Sequence, residues 1–231
     1  MIDFQYIYAH RAAEYQHMIA PEDADGQLLP AIERVASLHG KRVLDLGTGT
    51  GRLPMLFSDR RARIVGLDLH RDMLRENESQ RVRVGGDWKL IQGDMRALPI
   101  PSGWADVVAA GWSIGHLRAW FAADWQSQIG RVLREMQRAV MSGGALIIIE
   151  TLTTGSLTPA PPTEELAEYY TWLEGEWSFA RQTIRTDYQF ASVDKAVART
   201  EFFFGSELAA KIRQHGWARL PEWTGVWGRL V

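Results

Sequence analysis

Residues 43–52 read VLDLGTGTGR, and this stretch constrains the fold more than any other. An apolar run carries one acid, Asp45, and leads straight into Gly47, Gly49 and Gly51. Glycines at the turn between a buried strand and its helix let a ligand come close to the backbone. The dinucleotide pattern G-x-G-x-x-G would put its third glycine where Arg52 stands. The phosphate loop G-x-x-x-x-G-K-[ST] fails too, since no Lys-Ser or Lys-Thr pair follows. With a carboxylate at the strand end and no phosphate-binding lysine, the loop suits a cationic or zwitterionic ligand. Asp45 would repel a pyrophosphate.

Two further acids extend the pattern. Asp68, in Gly66-Leu67-Asp68-Leu69, ends a second strand candidate, the place from which an acid accepts hydrogen bonds from ribose hydroxyls. Asp94, in Gly93-Asp94-Met95, follows a third, where an acid can accept from an exocyclic amine. In an open parallel sheet such strand ends converge on one crevice. Taken singly, Asp45 and Asp68 also read as turn or helix caps, and Met95 as core filler.

The pattern around these acids alternates strand and helix. Strand candidates at 42–46, 63–69, 88–92, 105–110 and 145–149 are separated by helix candidates from Arg52, at 71–78 and at 126–140. Ile129, Val132, Leu133, Met136 and Val140 form a helical apolar stripe, which Gly143-Gly144 ends. Continuous apolar strands between helices imply a parallel sheet covered on both faces. The flanks differ: residues 4–19 and 27–39 read as two helices. Residues 152–182, rich in Thr, Pro and aromatics with a helix near 164–172, read as an insertion over a site. Residues 183–190 alternate like an antiparallel strand. Ser192 and Ser206 cap two helices, and 223–231 forms a last strand.

At 231 residues the chain fits one domain. It divides into an N-terminal helical cap (1–40), a core (41–151), a lid over the substrate (152–182) and C-terminal strands and helices (183–231). A net charge of −2 gives no bulk attraction to nucleic acid or to an anionic membrane. The absence of cysteine rules out disulfides and thiolate catalysis and fits a reducing compartment. No signal-peptide pattern opens the chain and no apolar run is long enough to span a bilayer. A cytoplasmic protein, monomeric or homodimeric, is expected. The six histidines are scattered without metal-ligand spacing, so no metal is expected.

VLDLGTGTGRL, GLDLHRDML, GDMRALPIPSGWADVV and LREMQRAVMSGGALIIIE together resemble the motifs of class I S-adenosylmethionine (SAM)-dependent methyltransferases. The rest resembles the small-molecule branch that includes quinone-biosynthesis (UbiE-like) enzymes. The resemblance implies a Rossmann-like, doubly wound α/β fold with seven strands in order 3-2-1-4-5-7-6, the last antiparallel. It also implies methyl transfer from SAM to a small-molecule acceptor, leaving S-adenosylhomocysteine (SAH). Peptide or protein methylation and non-catalytic SAM binding are the alternatives.

Carried over by position, Gly47, Thr48, Gly49 and Gly51 lie along the methionine moiety, with Asp45 near its amino group. Asp68, with Leu69 beside it, holds the ribose. Asp94 holds the adenine amine and Met95 packs on the ring. Gly111 lines the cofactor site, and Trp112 the way to the acceptor. Tyr6, Tyr8, Arg11 and Tyr15 resemble an aromatic helix closing over the cofactor, Tyr15 being the chosen contact. Arg52 either begins a helix or reaches the cofactor carboxylate. Nucleic-acid methylation is disfavoured, because GWSIGH stands where such enzymes carry Asn-Pro-Pro-Tyr or Asp-Pro-Pro-Tyr.

Methyl transfer draws much of its rate from aligning the reactants away from water, and needs a base only when the acceptor must lose a proton. His116 is the base candidate, with a helix-start histidine beside the adenine as its other reading. His10 and Glu150 are weaker candidates. Trp112, His116, Tyr170 and Trp177 are the expected acceptor contacts. Trp120, Trp125, Trp172 and Tyr188 offer further aromatic surface, each of which also reads as core.

Overall fold

The computed structural model describes residues 3–231. Five strands run parallel: β1 (Arg42–Leu46), β2 (Arg63–Asp68), β3 (Lys89–Gln92), β4 (Ala105–Gly111) and β5 (Val140–Thr154). With β6 (Ala180–Arg185) and β9 (Glu222–Leu230) they form a seven-stranded sheet in order β3-β2-β1-β4-β5-β9-β6. β9 is antiparallel to both neighbours, so the expected Rossmann-like topology is present. A separate two-stranded ribbon pairs β7 (Tyr188–Gln189) with β8 (Arg219–Leu220).

Alternation along the central strands divides the core between the two faces. Val108 and Ala110 of β4 and Leu146 and Ile148 of β5 pack with Ile129, Leu133 and Met136 of α7 (Trp125–Ala139). Tyr169, Tyr170 and Leu173 of α8 (Glu164–Gly175) join that layer. Val107, Ala109, Ile147 and Ile149 face the other way. They pack against Leu28 and Ile32 of α3 (Leu28–Val35) and Leu53 and Phe57 of α4 (Arg52–Phe57). Each buried aliphatic or aromatic side chain contributes roughly 1.5–3 kcal/mol.

Several boundaries differ from the sequence reading. The helix expected over 4–19 is two helices, α1 (Phe4–His10) and α2 (Ala12–Ile19), broken at Arg11 (φ −129°, ψ 32°). Arg11 turns outward to bind Glu14 and to lie 4.5 Å over the ring of Phe202. α5 (Arg71–Val84) runs past 78 to stop at Gly85, because ion pairs such as Arg81–Glu78 support a stretch without an apolar stripe. β5 already begins at Val140, ahead of the expected 145. The strand expected over 183–190 divides at Asp187. Its carboxylate accepts from Arg185 Nε and Arg219 Nε at 2.8 Å each, and from the backbone N–H of Glu222 at 3.1 Å. The expected break after Phe203 is present inside α9 (Val193–His215), at Gly205 (φ 85°, ψ 174°).

The segment 152–182 does not cover the crevice at the strand ends. Its helix α8 docks through Tyr169, Tyr170 and Leu173 on α6 (His116–Trp120), α7 and the sheet. Residues of α1 and α2 line the crevice instead.

Candidate functional site

The turn after β1 is shaped by close approach. Gly47 sits at φ +69°, and a Cβ there would lie 2.3 Å from Ser113 Cβ. Gly51, at φ +98°, would place a Cβ 2.8 Å from Asn77 Oδ1. Gly49 and Gly51 line neither of the two cavities that meet at this turn. Asn77 Nδ2 donates to the Gly49 carbonyl at 3.0 Å, and Trp88 Nε1 donates to Asn77 Oδ1 at 2.7 Å. Thr50 Oγ1 donates to Gln16 Oε1 of α2. Asn77, Trp88 and Gln16 escaped the sequence reading, because a buried polar residue on a helix face has no motif of its own.

Two cavities meet at this turn, sharing Tyr15, Gly47, Gly111 and Trp112. The smaller, about 30 Å³, also contains Asp45, Thr48, Thr50 and Arg52. Both carboxylate oxygens of Asp45 and Nη2 of Arg52 are buried without a hydrogen-bond partner. Burial, aided by the nearby Asp68 charge, pushes Asp45 up to about 7. Arg52 is held in place by Glu22, with Nη1 2.6 Å from Oε2, and lies 3.8 Å over the ring of Trp112. Trp112 itself has φ +49°, and its N–H donates to the Ile149 carbonyl at 2.7 Å.

The larger cavity, about 310 Å³, runs from Gly47 along the ends of the strands. Asp68 lies at the end of β2 and is 7% exposed. Its Oδ2 accepts from Gly49 N–H and its Oδ1 from His70 N–H, both at 2.8 Å. Burial raises its pKa in spite of these bonds. Leu69 and Met95 also line this cavity. Asp94 does too, with its carboxylate engaged by Arg96: Nε to Oδ1 is 3.0 Å and Nη2 to Oδ2 is 2.6 Å. Those bonds hold Asp94 below the usual carboxylate range.

The far wall is aromatic. Tyr8 Oη lies 2.7 Å from His116 Nε2, and Trp120 stacks on the imidazole at 5.2 Å. Burial, with His70 nearby, pushes His116 down to about 4, so its ring is neutral at pH 7. Tyr15 meets Tyr8 edge-on at 5.5 Å, and Phe203 of α9 packs on both.

Other expected contacts lie elsewhere. Tyr170 is buried in the core, donating through Oη to the Thr151 carbonyl at 2.8 Å and packing on Trp227. Trp177 packs edge-on against Trp172, away from either cavity. Both are carried off by the docking of the 152–182 segment on the sheet face. Tyr6 is 55% exposed and packs at a tilt against His10 at the surface. Tyr188 belongs to the cluster around the β7–β8 ribbon. Glu150 is pushed up to about 8 by burial and accepts from Gly115 N–H at 2.8 Å, lining neither cavity. Among the described residues, no group of three or more His, Cys, Asp or Glu is placed to hold a metal ion.

Residues 44–148 match the family model described as a methyltransferase domain. Over that stretch the chain is similar to SAM-dependent methyltransferases. The chain is 31% identical to the demethylmenaquinone methyltransferase of Thermus thermophilus, over 52% of the chain and 51% of that protein. It is 30% identical to a malonyl-[acyl-carrier protein] O-methyltransferase of Legionella pneumophila, over 61% of the chain and 46% of that protein. The chain thus spans about half the length of these curated relatives. A SAM-dependent methyltransferase from Aquifex aeolicus has the same fold. Its TM-score is 0.57 at 14% identity, over 99% of the chain and 94% of that structure. The residues of the site fit SAM, because the unpartnered Asp45 oxygens and Arg52 Nη2 of the small cavity match the zwitterionic end of the cofactor.

Proposed function

We propose that the protein transfers a methyl group from SAM to a small-molecule acceptor, the adenosine part of SAM and the acceptor sharing the larger cavity, giving SAH. The observation that carries this reading is the small cavity. It buries an unpartnered carboxylate, Asp45, and an unpartnered guanidinium nitrogen, Arg52 Nη2, within one space of about 30 Å³. A buried polar atom without a hydrogen-bond partner costs about 1–3 kcal/mol, so such a site favours a ligand bearing both an ammonium and a carboxylate. Asp45 would take the ammonium and Arg52 the carboxylate. Asp68 would accept from the ribose hydroxyls, and Asp94 and Met95 would flank the adenine.

SAM supplies a methyl group on a positively charged sulfur. The chain's own part is to orient the two ligands and exclude water, through Trp112, Tyr15 and the aromatic wall. His116 is neutral at pH 7, and the burial that keeps it so also lowers its basicity. We read the chain as one unit, acting in the cytoplasm as a monomer or homodimer. No helix among the described residues is long and apolar enough to cross a membrane.

Titration calorimetry with SAM and SAH tests the reading. Both should bind, and Asp45→Asn and Arg52→Ala should each weaken SAM by at least tenfold. Absence of binding to either ligand would overturn the proposal.

A further inference from the structure

We infer that Tyr8 and His116 form a proton relay that deprotonates a hydroxyl-bearing acceptor in the larger cavity; this rests on the methyl-transfer reading. Tyr8 comes from α1 and His116 opens α6, 108 residues apart, yet their Oη and Nε2 atoms are 2.7 Å apart. Both line the cavity that has Gly47 and Asp68 at its floor. The imidazole is held between Trp120, stacked at 14°, and Phe4, whose ring centroid is 5.5 Å away. Tyr15 fixes the phenol from its other side. With the imidazole in its Nδ1–H form, Tyr8 Oη donates to Nε2, which leaves the phenol oxygen free to accept from a ligand hydroxyl.

The remaining groups decide which acceptor suits this pair. The ionisable groups facing it are Tyr15 of α2, Asp68 and His70 at the end of β2, and Glu150 of β5. The guanidinium lining the cavity, Arg96, is spent on Asp94. An acceptor entering as a carboxylate would therefore find no free Lys or Arg among the lining residues. A neutral hydroxyl finds Tyr8 and His116.

In the step, the acceptor O–H bond breaks and its proton passes to Tyr8 Oη, as Tyr8's own proton moves to His116 Nε2. The electron pair freed on the acceptor forms the new bond to the methyl carbon, and the S–C pair stays on sulfur. In an enol or phenol the new bond can form at the conjugated carbon, which then loses its C–H proton on re-enolisation. The imidazolium returns its proton to water. A base matched to the working pH contributes about 10²–10⁴-fold; burial lowers His116 to about 4 and raises Tyr8 well above its ordinary value, which places this relay at the low end of that range.

Two measurements on the 231-residue chain test the relay. The first is ¹⁵N-histidine NMR without SAM. His116 should be neutral at pH 7 with Nε2 as a hydrogen-bond acceptor, and Tyr8→Phe should move that resonance towards a free imine nitrogen. An Nε2 that carries the proton, or one that does not respond to Tyr8→Phe, overturns the relay. The second follows labelled methyl transfer from SAM to catechol and to 1,4-dihydroxynaphthalene. The wild-type rate should be flat over about pH 6–9. In Tyr8→Phe and His116→Gln, kcat should fall about 100-fold with KM for SAM within about threefold, and the rate should rise about tenfold per pH unit as the acceptor ionises by itself. Wild-type kcat in both variants, or no transfer to either probe, overturns it. SAH titration on the same proteins separates the two readings. Unchanged SAH affinity with an unaltered profile removes only the relay, whereas no SAH binding by the wild type removes the methyl-transfer reading itself.

Discussion

Asn77 Nδ2 donates to the carbonyl oxygen of Gly49 across 3.0 Å, tying helix α5 to the glycine turn. Asn77 is fully buried and also accepts from Trp88 Nε1. Asn77→Ala leaves a buried indole N–H and a carbonyl without partners. A loss of about 2–4 kcal/mol in chemical denaturation is expected, with SAM affinity at least tenfold weaker by calorimetry.

Gly47 makes a sharper prediction, because its Cβ position is already filled by Ser113. Gly47→Ala should destabilise the protein by several kcal/mol and abolish measurable SAM binding. Adding Ser113→Gly relieves the clash but not the positive φ. The double variant should recover most of the stability while keeping a deficit of roughly 1 kcal/mol. If Gly47→Ala melts like the wild type, the turn has a different path.

Asp68→Ala should weaken SAM and SAH alike, by tenfold or more. Asp68→Asn should do less damage, since an amide oxygen still accepts from Gly49 or His70 N–H. Equal affinities in all three proteins would remove Asp68 from the site.

Asp45 predicts a pH dependence. Its pKa is pushed from 3.8 to about 7 on folding, so the folded state binds more protons than the unfolded one between those values. Its contribution to stability is fully present below about pH 4 and is lost as pH rises through 7. Ligand binding runs the other way, because an ammonium needs the carboxylate ionised. SAM affinity should fall as pH drops below 7, with protons released on binding in proportion. Calorimetry in buffers of different ionisation enthalpy counts those protons, and Asp45→Asn should abolish the dependence.

Sheet order was legible through the family resemblance, and the position of the crevice because strand-end acids and glycine spacing are local signals. Asp45, Asp68, Asp94, Met95 and Trp112 all line one of the two cavities. Tyr170 and Trp177 were misplaced for a physical reason. An aromatic-rich segment reads alike whether it encloses a ligand or fills a core, and only the docking direction of α8 distinguishes them. The break at Arg11 was hidden too, since helix periodicity runs across it. Yet that break divides the cap into α1 and α2, which present Tyr8 and Tyr15 edge-on to each other.

The residues that wall the crevice from above are made first and can be placed only last. Gln16 and Glu22 meet Thr50 and Arg52 only after β1 and its turn exist, and Tyr8 meets His116 only after β4 has paired. Closing a loop of that span costs entropy that no earlier contact offsets. The N-terminal stretch is therefore expected to dock late in folding and to fray first, which hydrogen exchange would register as amides of 4–19 losing protection before those of the central strands.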